Sequence, residues 1–312
     1  VRRAIIGPEE NPVLSYRHAF HAGNHADVLK HVVLAACLEY LGRKPTPYLY
    51  VDTHAGPGSY RLEAGYAARN REWVDGVARL GAAASAAGGA APPAAVAGYL
   101  AAVAAFRARR GADAYPGSPA IALDRLRPAD AARLFELHPT DFPLLAVFAA
   151  GDGRCVVRRE DGLVALPLLL PPPSRRGLIL VDPSYEVKTE YASVVEAVAA
   201  GLRRFATGVY LVWYPLLARE EARALPGRLL ALAPGTVARI ELSVAAPSAD
   251  GFGMPGSGLV AFNPPWTLRA ELEAVLPYLA RTLGAGGEAG WRLDWREKAH
   301  PDATAPDAPG TN

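Results

Sequence analysis

"GLILVDPSYE", residues 177–186, decides how the rest of the chain is read. Gly177 opens onto four large apolar residues, Leu178, Ile179, Leu180 and Val181, without the alternation that a half-exposed strand shows. Such a run is expected of a strand covered on both faces, and strands of that kind belong to parallel sheets flanked by helices. The run ends on a carboxylate at Asp182, a rigid Pro183 and an aromatic ring at Tyr185. A plain turn needs none of these groups, so the exit of this strand is marked as a place for chemistry. A second stretch, "GLVAFNPPW" at residues 258–266, repeats the arrangement.

Six further runs read as strands: 48–51, 134–137, 155–158, 209–213, 238–244 and 258–262. Helical stretches separate most of them, as at 190–205, where Tyr191, Val194, Val195, Val198 and Leu202 recur at helical spacing. This alternation predicts an α/β fold with a seven-stranded, mostly parallel, doubly wound sheet. The last two runs are joined by a Gly- and Pro-rich loop (246–257) and are expected to form an antiparallel hairpin at the sheet edge. The gap between the first two strands exceeds what one crossover needs. Its Ala-rich residues 61–112 are expected to form an inserted helical subdomain, with 13–60 and 113–296 making the main domain. Residues 1–12 read as a disordered extension and the polar, proline-broken 297–312 as a disordered tail. The only methionine is Met254, so Val1 is expected to be a processed end or a valine start codon.

Hydrophobic residues at 51% and charged residues at 21% fit a globular protein and exclude global disorder. A net charge of +2 permits a nucleic-acid partner without calling for one. Cys37 and Cys155 form no CxxC pattern, so neither a disulfide framework nor a zinc site is suggested, and a cytoplasmic location fits. Residues 80–106 are uncharged, but they are weakly apolar and broken at Pro92-Pro93, so no membrane span is expected.

Polar groups recur at the strand exits. Asp52 closes the first strand and is followed by His54 and a turn at Gly56 and Gly58. Glu136 closes the second, where an acid can accept hydrogen bonds from both ribose hydroxyls, and Asp161-Gly162 follows the third. Each alone is an ordinary cap or turn. In series at the carboxyl ends of parallel strands they point at one crevice. "YPGSP" adds Ser118 as an expected N-cap with Pro119 at the first helical position. Between the two aromatic motifs, position favours Asp182: the exit at Asn263 follows an edge strand and reads as structural, with Trp266 packed.

"LSYRHAFHAGNHADVLKHVVLAACLEYLG" holds four of seven histidines, with Asn24 as N-cap, Asp27 three positions into a helix, and a stop at Gly42. His18, His21 and His25, with Asp52 and His54, allow a second reading as a metal-dependent hydrolase.

Together, "LSYRHAFHAGNHADVLKH", "YVDTHAG", "YPGSP", "ELHPTDFPLL", "SRRGLILVDPSYE", "RFATGVYLVWYP" and "FNPPW" closely resemble the RlmJ family, the 23S rRNA (adenine(2030)-N6)-methyltransferases. The likeness spans residues 13–290. It implies a Rossmann-like, class I S-adenosylmethionine-dependent methyltransferase with an inserted helical subdomain. It places cofactor contacts on His31, His54, Ser118, Glu136, Asp161 and Gly162, the catalytic acid on Asp182, and substrate contacts on Tyr16, His18 and Lys30. No metal is then required, and 23S rRNA is the expected partner of a monomer.

An amine conjugated to a purine ring is a poor nucleophile. The Asp182 side chain and the Pro183 carbonyl are expected to accept its hydrogens, with Tyr185 stacking on a base turned out of the RNA. The family carries Asp-Pro-Pro-Tyr, whereas this chain has Ser184 at the third position, which loosens the loop but keeps every reacting group. Arg17, Lys30, Arg61, Arg175, Arg176 and Lys188 are candidates for phosphate contacts. Adenine-N6 methylation of another RNA or of DNA, or cofactor binding without catalysis, are the other readings within the fold.

Overall fold

The computed structural model describes residues 18–246, 253–285 and 288–297. The expectations for 1–12, Tyr16, Arg17 and 298–312 lie outside the described residues. In chain order the elements are α1 (His25–Gly42), β1 (Leu49–Asp52), β2 (Ser59–Arg61), α2 (Ala67–Asn70), α3 (Val77–Ser85), α4 (Ala94–Arg110) and β3 (Ala114–Pro116). Then follow α5 (Ser118–Leu123), β4 (Ala131–Phe135), α6 (Asp141–Phe148), β5 (Cys155–Arg158), α7 (Gly162–Leu169) and β6 (Gly177–Val181). The last are α8 (Glu190–Arg204), β7 (Val209–Pro215), α9 (Glu220–Leu230), β8 (Val237–Ser243), β9 (Gly256–Phe262), α10 (Leu268–Leu283) and β10 (Gly290–Arg296).

The main sheet has the order β10-β8-β9-β7-β6-β1-β4-β5. From β7 through β6, β1 and β4 to β5 all pairings are parallel. β9 runs against β7, β8 against β9, and β10 against β8. Every residue of β6 and β7 is buried, which is why their sequences are unbroken apolar runs.

Two sheet expectations need correction. The sheet has eight strands: β10 was not expected because it is an exposed edge strand of mixed composition, with only Leu293 and Trp295 packed on the core. The hairpin of β8 and β9 does form, but β9 lies inside the sheet between β8 and β7, not at its edge.

Asn24 caps α1 by accepting from the amides of Ala26 and Asp27, as its residue type predicts. Most of the helix is buried, because β6 and β9, α4, α5 and α10 all pack against it. Residues 61–112 carry α2, α3 and α4, and the antiparallel pair β2–β3 brings their two ends together. Leu80, Val96, Tyr99 and Val103 from this stretch join the main core. Each such fully buried side chain contributes roughly 1.5–3 kcal/mol relative to exposure.

Candidate active site

β1 has β6 on one side and β4 on the other, and the chain reaches these neighbours in opposite directions across the sheet. Ligands of open parallel sheets lie outside the carboxyl ends of strands at such a switch point. Asp182 leaves β6 here and is 11% exposed. Its Oδ2 lies 2.5 Å from Lys30 Nζ, which comes from the second turn of α1. The same ammonium is 2.9 Å from Asp27 Oδ1, so one buried cation serves two carboxylates. Asp27 also accepts from His18 Nε2 at 2.9 and 3.0 Å and from the Gly23 amide. Lys30 thus contacts Asp182 directly, and His18 joins the same cluster through Asp27.

The charges follow from this packing. Burial would raise Asp27, but His18 and Lys30 hold its carboxyl well below the usual range. Burial opposes the charge on Lys30, yet Asp182 and Asp27 push its pKa up, so it stays an ammonium ion. Asp182 is raised by burial, with Lys30 working against the shift.

A second polar cluster lies at the ends of β1 and β4. Asp52 is fully buried and accepts from the hydroxyls of Tyr50 and Ser118, both at 2.7 Å. Burial raises it to about 6 against those hydrogen bonds. Glu136 accepts from the amides of Gly56 at 2.8 Å and His138 at 2.7 Å, and burial raises it to about 7. Thr53 donates its hydroxyl to the Leu180 carbonyl and accepts from His54 Nδ1 at 2.8 Å. Burial lowers His54 to about 4, so it is neutral. Asp161 caps α7, accepting from the amides of Leu163 and Val164. Gly162 lets α7 start against the end of β1: a Cβ there would lie 2.3 Å from the Thr53 carbonyl oxygen. His31, on α1, bonds through Nδ1 to the Tyr115 hydroxyl at 2.9 Å. An acid held open by two amides, a glycine approach and neutral histidines suits an uncharged ribose and purine with a charged tail, so these residues fit S-adenosylmethionine.

Several expectations are corrected. Gly117, not Ser118, is the N-cap of α5, because the Ser118 hydroxyl is committed to Asp52. Tyr185 offers no face to a base as placed: it is 2% exposed, its ring lies 4.5 Å from that of Tyr191, and its hydroxyl donates to the Trp213 carbonyl. Trp266 is not packed but 78% exposed. Lys30 is buried and reaches no phosphate. Arg175 and Arg176 sit at the start of β6, the opposite end from the crevice. Arg61 pairs with Asp113, and Lys188 with Glu221. The histidines diverge: His21 bonds to Glu72 and His25 to the Met254 carbonyl, and among the described residues no three His, Cys, Asp or Glu side chains form a metal cage. No described helix is long and apolar enough to cross a membrane.

Asp27 was legible only as a cap, although its spacing of three from Lys30 puts both on one helix face. Tyr115 and Trp213 lie within the stretches YPGSP and RFATGVYLVWYP, but their residue types mark neither as a site residue. Trp213 lies one residue past the β7 partner of Val181, with Lys30 Nζ 5.9 Å from its ring.

A family model described as ribosomal RNA large subunit methyltransferase D, RlmJ, matches residues 45–297. The chain is 44% identical over 283 residues to ribosomal RNA large subunit methyltransferase J of Escherichia coli, covering 91% of this chain and 99% of that one. It is 40% identical to the protein of the same name from Haemophilus influenzae, covering 91% and 99%. A crystal structure of a Legionella pneumophila protein, 32% identical, superposes with a TM-score of 0.79 over 89% of this chain and 99% of that one. The fold, the crevice and these matches agree, and the chain belongs to the RlmJ family of ribosomal RNA large subunit methyltransferases.

Proposed function

We propose that this protein transfers the methyl group of S-adenosylmethionine to N6 of adenine 2030 in protein-free 23S rRNA, acting as a monomer. The observation that carries this reading is the Asp182–Lys30–Asp27 arrangement at the exit of β6. Lys30 occupies Asp182 Oδ2, and among the described residues no hydrogen bond reaches Oδ1. That oxygen and the Pro183 carbonyl are left to accept the two hydrogens of the adenine amine, directing its lone pair at the methyl group.

The cofactor supplies the electrophilic methyl when bound. His31, His54, Ser118, Glu136, Asp161 and Gly162 would hold it. Glu136 would take the ribose hydroxyls, while Ser118 acts through Asp52. As the N–C bond forms, one amine proton must leave. Lys30 is already protonated and cannot take it, so Asp182, whose basicity burial has raised, accepts it or passes it to water. His18 steadies Asp27, and through Lys30 the position of Asp182. Tyr185 supports the loop from beneath by its bond to Trp213. Tyr16 is proposed to meet the substrate from the N-terminal segment.

The test is transfer of labelled methyl to protein-free 23S rRNA, with the modified nucleotide identified by mass spectrometry. N6-methyladenosine at one site supports the reading. Cofactor binding without transfer to that RNA would refute the substrate assignment, and absence of cofactor binding would refute the activity.

A further inference from the structure

The cofactor-side histidine is attached to a short chain of hydroxyls. His31 Nδ1 lies 2.9 Å from the Tyr115 hydroxyl, which lies 2.9 Å from the Tyr99 hydroxyl. Tyr115 belongs to β3 and Tyr99 to α4, so the chain runs from the inserted stretch to α1. All three residues are at most 1% exposed. The ring centroids of Tyr115 and Tyr99 lie 5.8 and 6.4 Å from that of His31.

Burial lowers the pKa of His31 to about 3, so the ring is neutral, with one nitrogen a donor and the other an acceptor. Two proton arrangements are then open. In the first, Tyr99 donates to Tyr115, Tyr115 donates to Nδ1, and the ring proton sits on Nε2. In the second, Nδ1–H donates to Tyr115, Tyr115 donates to Tyr99, and the Tyr99 hydrogen needs an acceptor. Among the described residues the Tyr99 hydroxyl meets no partner but Tyr115. The second arrangement therefore seals an unused donor in the core at Tyr99, whereas the first uses both hydroxyl hydrogens and puts the spare donor on His31 Nε2, which is not among the sealed, unpartnered atoms. Orphaned buried donors are much rarer than under-used acceptors, so the first arrangement wins.

On the other side of the ring, Nε2 is 3.9 Å from Asp27 Oδ1, beyond hydrogen-bond reach. Asp27 is already engaged by His18, Lys30 and the Gly23 amide. The Nε2 proton therefore remains to be given to a ligand.

We propose that Tyr115, backed by Tyr99, is a positioning residue that fixes His31 as the Nε2–H tautomer, so that β3 together with α4 of the inserted stretch determines the donor which His31 offers to an acceptor atom of the cofactor. The purpose assigned to that donor rests on the reading that His31 contacts S-adenosylmethionine; the tautomer itself does not.

The experiment is nitrogen-15 NMR of full-length protein labelled at histidine, with His31 assigned by its loss in His31→Gln, alongside calorimetric titration with S-adenosylmethionine. Wild type is expected to show one His31 tautomer, protonated at Nε2. Tyr115→Phe, which keeps the ring and deletes the hydroxyl, is expected to mix the tautomers and weaken cofactor binding about tenfold. Tyr99→Phe should relax the tautomer less and weaken binding about twofold. A wild-type His31 protonated at Nδ1, or Tyr115→Phe with tautomer and affinity both unchanged, would overturn the proposal. The wild-type spectrum decides the tautomer even where a variant folds poorly. An Nε2–H signal with undiminished binding in His31→Gln would uphold the relay and overturn the cofactor reading.

Discussion

Two strand exits in this molecule are spelled almost alike and do opposite things. Asp182-Pro183-Ser184-Tyr185 leaves β6, a parallel strand, so it emerges at the carboxyl end beside β1. Asn263-Pro264-Pro265-Trp266 leaves β9, which runs against β7, and Phe262 pairs with Tyr210 near the start of that strand. The second exit therefore lies at the other end of the sheet. Asp182 is nearly buried against an ammonium ion. Asn263, at φ 46°, donates its side-chain amide to the carbonyls of Ala206 and Gly208, both at 2.8 Å. The aromatic rings also invert: Tyr185 is enclosed and Trp266 exposed. Strand direction, not the four letters, decides which exit meets a ligand.

The largest expected effect separates the two acids and amides. Asp182→Asn keeps an acceptor oxygen but removes the charge and the base, so kcat should fall by roughly 10²–10⁴ with S-adenosylmethionine affinity nearly unchanged. Single-turnover methyl transfer with calorimetry checks both. A kcat near wild type would show that the exit of β6 only orients the amine.

At the cofactor end of the same crevice, Glu136 titrates. A carboxyl raised to about 7 in the free protein holds its proton through the acid range, and ribose hydroxyls prefer its ionised form. Affinity for S-adenosylmethionine should therefore weaken by up to about tenfold per pH unit below pH 7 and level off above it. Glu136→Gln should flatten that profile. The same shift means that the folded state binds this proton more tightly than the unfolded chain. The Glu136 contribution to stability of the free protein should thus decline as pH rises from the ordinary glutamate range to about 7, and calorimetry of wild type against Glu136→Gln reads it.

How much of this was legible follows from what each residue interacts with. β6 and β7 could be read because both faces are covered, so burial is written into every position. β10 could not, since half of "GWRLDWR" faces solvent and an edge strand of charged and aromatic residues has no clean period. Asp182, Glu136 and Asp161 stood out as polar groups ending apolar runs. Tyr115 and Tyr99 look like ordinary core aromatics, and only the fold brings their hydroxyls to His31. Strand pairing likewise is a long-range property, and this is why β9 was expected at the edge.

A smaller effect tests the structural exit. In Asn263→Asp the amide donor facing two carbonyls becomes a carboxylate oxygen, leaving those carbonyls opposed by charge. Stability should fall by about 1–3 kcal/mol with kcat unchanged in the surviving fold. Loss of kcat to the extent of Asp182→Asn would break the comparison. Ser184→Pro restores the pattern of the family at the catalytic exit, and it should alter kcat by no more than about threefold, because Asp182, Pro183 and Tyr185 are retained. Activity far above wild type would show that loop stiffness limits the enzyme.

The smallest effect is expected at Trp266. Its side chain is 78% exposed at the end of the sheet away from Asp182, so truncation removes little buried surface. Trp266→Ala should change stability by less than about 0.5 kcal/mol and leave cofactor affinity and methyl transfer to a short RNA at wild-type values. Scattered exposed aromatics are normal, and this one needs no further role on stability grounds. The informative comparison is between RNA lengths. If Trp266→Ala weakened binding of long 23S fragments while sparing short ones, the far end of the sheet would touch the substrate too. Position in the fold would then separate catalysis from RNA contact, with one strand exit serving each.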